Sequence, residues 1–137
     1  MFKLSIVTPE KVAYEDQVKS LVVPGSEGYL GILSNHAPLI TAMQPGKIVI
    51  TEADDDIEIL AVSGGFLEVS GNVATILADA VERTDQIDID RAQASYDRHR
   101  NRLLSFGRGE DTDIDLPAAR EAVERARNRI RIYKETH

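Results

Sequence analysis

NVATILADAVERTDQIDIDRAQASYDRHRNRLLSF, residues 72–106, changes its hydrophobic period partway along. Its first part crowds Val, Thr, Ile and Leu into one short run, which suits a pleated, buried strand. After Arg83 the apolar positions spread out. Ile89, Ala92, Tyr96, His99, Leu103 and Phe106 recur at alternating steps of three and four, which draws one stripe down a helix. The change divides the chain into a β part, residues 1–84, and a helical part, residues 85–137.

Working back from this boundary, Phe2, Leu4 and Ile6 alternate with Lys3 and Ser5, the period of a strand with one buried face. Short runs of the same kind follow at VKSLVV, KIVIT, IEILAV and FLEV, separated by turn residues at Pro9, Pro24-Gly25, Ser34-Asn35, Pro45-Gly46, Asp54-Asp55-Asp56, Gly64-Gly65 and Gly71-Asn72. Turns about every ten residues predict an all-β sandwich or barrel. Working forward, Asp88 is placed to cap the first helix and Gly107 to end it. The polar GRGEDTD reads as a connector. Asp115 offers a second cap, Pro117 lies in a first turn where its missing N–H does little harm, and Leu116, Ala119, Val123, Ala126, Ile130 and Tyr133 form a second stripe. Two stripes joined by a short loop predict an antiparallel helical hairpin. Both are narrow and the second is rich in alanine, so the hairpin buries little apolar area.

With 137 residues and no cysteine, the chain fits one ordinary core with an appendage and has neither disulfides nor thiolate chemistry. A net charge of −7 argues against sequence-independent nucleic-acid binding. That charge is unevenly spread. Residues 1–84 carry −7, residues 85–117 carry −3 and residues 118–137 carry +3. No apolar run is long enough for a signal peptide or a membrane span, so membrane contact is expected only through a partner.

His36, His99 and His137 have no metal-pair spacing, and no acid, nucleophile or oxyanion donor accompanies His36. Ser63-Gly64-Gly65 lacks the flanking residues of a P-loop or a nucleophile elbow and reads as a tight turn between strands. IDIDRA, residues 87–92, is more informative beside ERARNRI, residues 124–130. On a helix Asp88, Arg91 and Arg98 fall within about 80° of one another, and Arg125 and Arg129 lie one turn apart. If those faces meet, the arginines either point into water or share an anion, because like charges at close range repel.

PGSEGYLGILSNHAPLITAMQPG (24–46), AVSGGFLEV (61–69) and IDIDRA, in that order over nearly the whole chain, resemble the epsilon subunit of bacterial F-type ATP synthase. The resemblance implies a flattened sandwich of two five-stranded sheets followed by a two-helix hairpin. It also implies a non-catalytic rotor subunit that joins gamma to the c-ring at the cytoplasmic face of the bacterial inner membrane. Residues 25–38 are then the sandwich edge facing those partners, with Tyr29, His36 and Thr41 on the docking surface. The hairpin is implied to be a switch that extends along gamma and impedes ATP hydrolysis, with Arg120, Arg125, Arg127, Arg129 and Arg131 approaching the beta subunit beside alpha. Some members hold ATP as a regulatory ligand. Here Ile87, Asp88, Arg91 and Ala92 match their motif, with Glu82, Arg98, Arg125 and Arg129 as further contacts. No cofactor is required by this reading. A free-standing nucleotide-sensing module and a small enzyme are the competing classes. The first binds nucleotide but ignores gamma, and the second turns over a substrate alone.

Overall fold

The computed structural model describes residues 1–110 and 113–137, so Asp111 and Thr112 of the expected connector lie outside the described residues. The chain divides into two compact units, Met1–Thr84 and Asp85–His137.

The first unit contains β1 (Phe2–Val7), β2 (Val12–Gly25), β3 (Gly28–Leu33), β4 (Leu39–Met43), β5 (Gly46–Glu52), β6 (Ile57–Val62), β7 (Gly65–Ser70), β8 (Val73–Ala78) and β9 (Val81–Arg83). These nine strands make two five-stranded layers because β2 serves in both. Its first half pairs with β1, which continues through β8 and β7 to β4. Its second half lies between β3 and β5, and β5 continues through β6 to β9. The expected sandwich of two five-stranded sheets is therefore present, with fewer strands than two separate sheets need. The change of layer falls at Lys19. Val18 pairs with Glu52 and Ser20 with Thr51, so Lys19 is the extra residue of a bulge, the device that bends a strand around a sheet corner.

Alternation sets the core. Phe2, Leu4 and Ile6 of β1, with Leu67 and Ile76, pack against Leu21, Val23, Ile32, Ile48 and Ile50 of the other layer in one cluster that draws only on this unit.

The strand pairing adds to two sequence expectations. Residues 24–39 are more than a turn-rich edge. Gly25 pairs with Gly28 across a two-residue turn, so GYLGIL forms β3 antiparallel to β2, and Pro24 sits inside a strand. Pro24 pairs with Tyr29 of β3, and its carbonyl accepts from the Gln44 amide. Nor does Ser63-Gly64-Gly65 close a hairpin, since β6 and β7 are not partners. The chain crosses there from one layer to the other, and residues 78–81 make the same crossing alongside. The Ser63 amide donates to the Ala80 carbonyl and the Asp79 amide to the Gly64 carbonyl.

In the second unit, a 3-10 turn (Thr84–Gln86, which begins at the unit boundary) precedes α1 (Ile89–Gly107), followed by α2 (Leu116–Thr136). Asp88 and Asp115 cap them, accepting from the amides of Arg91 (3.0 Å) and Ala118 (3.1 Å). The first helix ends two residues later than Gly107 suggests. Arg108 is the cap and Gly109, at φ 74°, takes the left-handed position. The Glu110 amide reaches the Ser105 carbonyl and the Gly109 amide the Phe106 carbonyl, the paired bonds of a Schellman ending. Among the described residues no helix is long and apolar enough to cross a membrane.

Candidate functional site

Two sets of expected residues can be followed, one on each unit. On the sandwich, Tyr29 and His36 do not form one compact patch. Tyr29 begins the outward row of β3, Leu33 ends it, and four residues of extended chain span about 13 Å. The Tyr29 hydroxyl accepts from the Lys47 amide at 3.1 Å, so an exposed ring is anchored over the start of β5. His36 is half-buried beyond Leu33. Its Nδ1 lies 2.7 Å from the Ala37 carbonyl, which can only accept, so Nδ1 carries the proton. No carboxylate orients the ring among the described contacts, and a turn residue describes it better than a base.

Thr41 occupies the inward parity of β4 with Leu39 and Met43, whereas Ile40 and Ala42 point outward. Period-two alternation explains this, and the motif reading had not applied it across the loop. Ile40, 75% exposed, is the large apolar side chain that the sequence reading missed. On the same outer face Ala42 pairs with Phe66, and Phe66 with Leu77, both more than half exposed. Ala42, Phe66 and Leu77 thus form an exposed apolar strip across β4, β7 and β8, beside the Ile40–Glu68 pair.

In the hairpin, Arg127 lies 5.9 Å from the ring centre of Tyr96, and Arg125 acts on His99, which sets an antiparallel register. It brings Arg98 level with Arg125. Arg91 stands about two turns nearer the start of α1, and Arg129 one turn along α2, so the four lie over neighbouring turns. Burial first, then the charges of Arg98, Arg102 and Arg125, hold the half-buried His99 imidazole below its ordinary value of 6.5. The shift favours the neutral imidazole, so His99 adds little to the surrounding positive charge. Arg102 was missing from the expected set although it stands one turn after Arg98, a spacing visible in the sequence. It also donates to the Asp113 carbonyl at 3.5 Å.

The remaining residues are more separated in role. Ile87 and Ala92 are buried, Asp88 spends a carboxylate oxygen on the cap, and Glu82 belongs to β9 of the first unit. Of the basic residues expected to meet another subunit, Arg120, Arg125, Arg127 and Arg131 are exposed and Arg129 is half-buried. Arg127 pairs with Glu124 at 2.8 Å and Arg131 donates to Asn128 at 2.8 Å. Among the described residues no three His, Asp or Glu side chains gather as for a metal ion.

The β-sandwich domain family of the ATP synthase delta/epsilon chain matches residues 1–84. The ATP synthase epsilon chain of Desulforamulus reducens is 43% identical over 129 residues, covering 94% of each chain. That of Lacticaseibacillus casei is 40% identical over 134 residues, covering 96% of this chain and 93% of the relative. Among solved structures, a chain of the Euglena gracilis mitochondrial ATP synthase (OSCP/F1/c-ring, rotational state 1) superposes with TM-score 0.70 at 15% identity, over 96% of this chain and 76% of that one. A chain of the Tetrahymena thermophila mitochondrial ATP synthase central stalk and c-ring superposes with TM-score 0.62 at 18% identity, over 98% and 94%. At those identities the likeness is one of fold.

Proposed function

The chain belongs to the ATP synthase delta/epsilon chain family, and from that membership we propose that it is an epsilon-type, non-catalytic rotor subunit whose sandwich joins gamma to the c-ring and whose hairpin restrains ATP hydrolysis. The observation that carries this reading is the unequal build of the two units. The sandwich has a complete core of its own, whereas the buried side chains of the hairpin are mostly small, Ala92, Ala119, Ala122 and Ala126 beside Val123, with Ile87 and Ile132 as the larger ones. Alanine buries little area, so few kcal/mol oppose opening, as a two-state element requires. The two solved structures are assemblies that contain the c-ring, one with F1 and one with the central stalk, and those settings support gamma and c-ring as this chain's partners. The protein is then peripheral, on the cytoplasmic face of the bacterial inner membrane, and meets the membrane only through the complex.

Docking follows from the exposed edge. Glutamates placed at His36 and Ile40 together should weaken association with gamma and the c-ring by at least about tenfold, because two interface side chains each contribute on the order of 1 kcal/mol. The isolated variant should keep its melting temperature, since neither side chain enters the core. A pull-down from membrane extract measures the first and thermal melting the second. Equal recovery of gamma by both proteins would remove this edge from the interface. A free-standing nucleotide sensor, the second reading, would bind nucleotide and recover no gamma at all.

The hairpin arginines support ATP as a regulatory ligand that holds the closed state. Arg98 and Arg125 stand level with His99 and Arg102 beside them, and a triphosphate replaces their repulsion with charge-assisted hydrogen bonds. Bound ligand stabilises the closed form by about 2.7 kcal/mol at a hundredfold excess over Kd. High ATP then favours the non-inhibiting form, and falling ATP releases α1 and α2 toward the catalytic beta and alpha subunits. Calorimetric titration should give heat with the isolated protein, with affinity reduced at least about tenfold in Arg91→Ala and Arg125→Ala. Equal affinities in all three proteins would leave Asp88 a cap and the arginines a solvated face.

A further inference from the structure

Asn72 lies in the turn between β7 and β8. Ser70 pairs with Val73, and the two residues between them, Gly71 and Asn72, stand at φ 58° and 59°. A type I′ turn needs positive φ at both positions, and glycine serves the second as well as asparagine or better. The turn therefore does not account for the side chain at position 72. Two side-chain contacts do, and a backbone contact accompanies them. The Asn72 Oδ1 accepts from the Asn35 amide at 2.7 Å, its Nδ2 donates to the Met1 carbonyl at 3.0 Å, and its own carbonyl accepts from the Lys3 amide at 3.3 Å. The side-chain amide has only one orientation that works, because one partner is a donor and the other an acceptor.

Asn72 gives the Asn35 amide a partner that its own turn does not. Residues Leu33–His36 form a turn closed by the His36 amide on the Leu33 carbonyl at 3.2 Å, with Asn35 at φ 61° in its third position. Within such a turn the third residue's N–H has no acceptor. Asn72 supplies one from a segment 37 positions away in sequence. Leu33 at 64% exposure and Met1 at 57% stand on either side of the clamp, with His36 next to it.

We propose that Asn72 is a positioning residue: its side-chain amide ties the β3–β4 turn to Met1, just before β1, as one rigid docking end, which presents Leu33, His36 and Met1 to the rotor partner. The docking half of this proposal rests on the proposed function given above. The clamp itself belongs to the free protein.

Asn72→Gly keeps the backbone conformation and removes both side-chain bonds. Asn72→Asp keeps the acceptor for Asn35 and loses the donor to Met1. In the isolated proteins, hydrogen exchange at the Asn35 amide should quicken about tenfold in Asn72→Gly and stay slow in Asn72→Asp. Affinity for a gamma–c-ring subcomplex should fall about tenfold in Asn72→Gly, with melting temperatures almost unchanged, and recover in part in Asn72→Asp. Unchanged Asn35 exchange in Asn72→Gly overturns the clamp. Quickened exchange with undiminished affinity overturns its part in docking. Failure of the wild-type protein to bind gamma is visible before any variant is compared and defeats the docking reading, and with it the docking half, while exchange still decides the clamp.

Discussion

Alanine at position 65 should cost the sandwich about 3 kcal/mol or more, the largest loss expected from any glycine substitution in the chain. Gly65 stands at φ 143° where the chain has just crossed between layers, and a Cβ there would lie 2.1 Å from the Leu77 carbonyl oxygen and 2.9 Å from the Ala78 Cα. Both obstacles are backbone, held by the pairing of β7 with β8, so neither can swing aside. Gly64, at φ 129°, is strained for an L residue but has more room, its nearest neighbour being the Asp79 carboxylate at 3.3 Å. Gly31 has nothing within 4 Å. Urea unfolding of the three alanine variants should rank Gly65 first, Gly64 second and Gly31 near neutral. A Gly65→Ala midpoint equal to that of Gly64→Ala would show that the layers can part at this crossing at little cost.

Removing residues 85–137 should have the opposite character, a small change in stability and a large one in regulation. The core cluster takes no residue from beyond Val81, so the truncated chain should melt cooperatively within a few degrees of the full chain. Reassembled with the other subunits, it should still couple to gamma but no longer restrain hydrolysis. The expected rise is the reciprocal of the unblocked fraction: a switch biased by about 1.4 kcal/mol toward the blocked state gives roughly tenfold. Hydrolysis equal to that of the intact complex would mean that the brake lies elsewhere.

Alternation and capping made much of this architecture legible. Phe2, Leu4 and Ile6 announce β1, and Asp88 and Asp115 sit at the helix starts that the stripes imply. What stayed hidden depends on contacts distant in sequence. GYLGIL has two glycines and no clear alternation, and it is a strand because β2 pairs with it. Val12–Gly25 contains Pro24 and a polar middle, so its length as one strand is decided by partners on both sides. Ser63-Gly64-Gly65 carries turn chemistry in either case, and only tertiary pairing makes it a crossing. On the site, helical spacing placed Arg91 and Arg98 on one face, and it contained Arg102 as well. Ile40 and Asn72 needed the fold, because one owes its exposure to strand parity and the other its partners to loops far along the chain.

The parallel pairing of β1 with β8 sets the order in which the protein can assemble. Lys3 through Val7 lie beside Val73 through Leu77, residues 70 positions later. A nascent chain can form the β2–β3 and β5–β6 hairpins early, but β1 stays covered on one side only until β8 has been made. Closing so long a loop is entropically costly and gains no contact until it is complete, which slows the final step. The antiparallel helices, joined by a few residues, have no such wait. Maturation of the rotor piece is thus limited by its rigid half, and during that interval the unpaired side of β1 is the surface most in need of protection from aggregation.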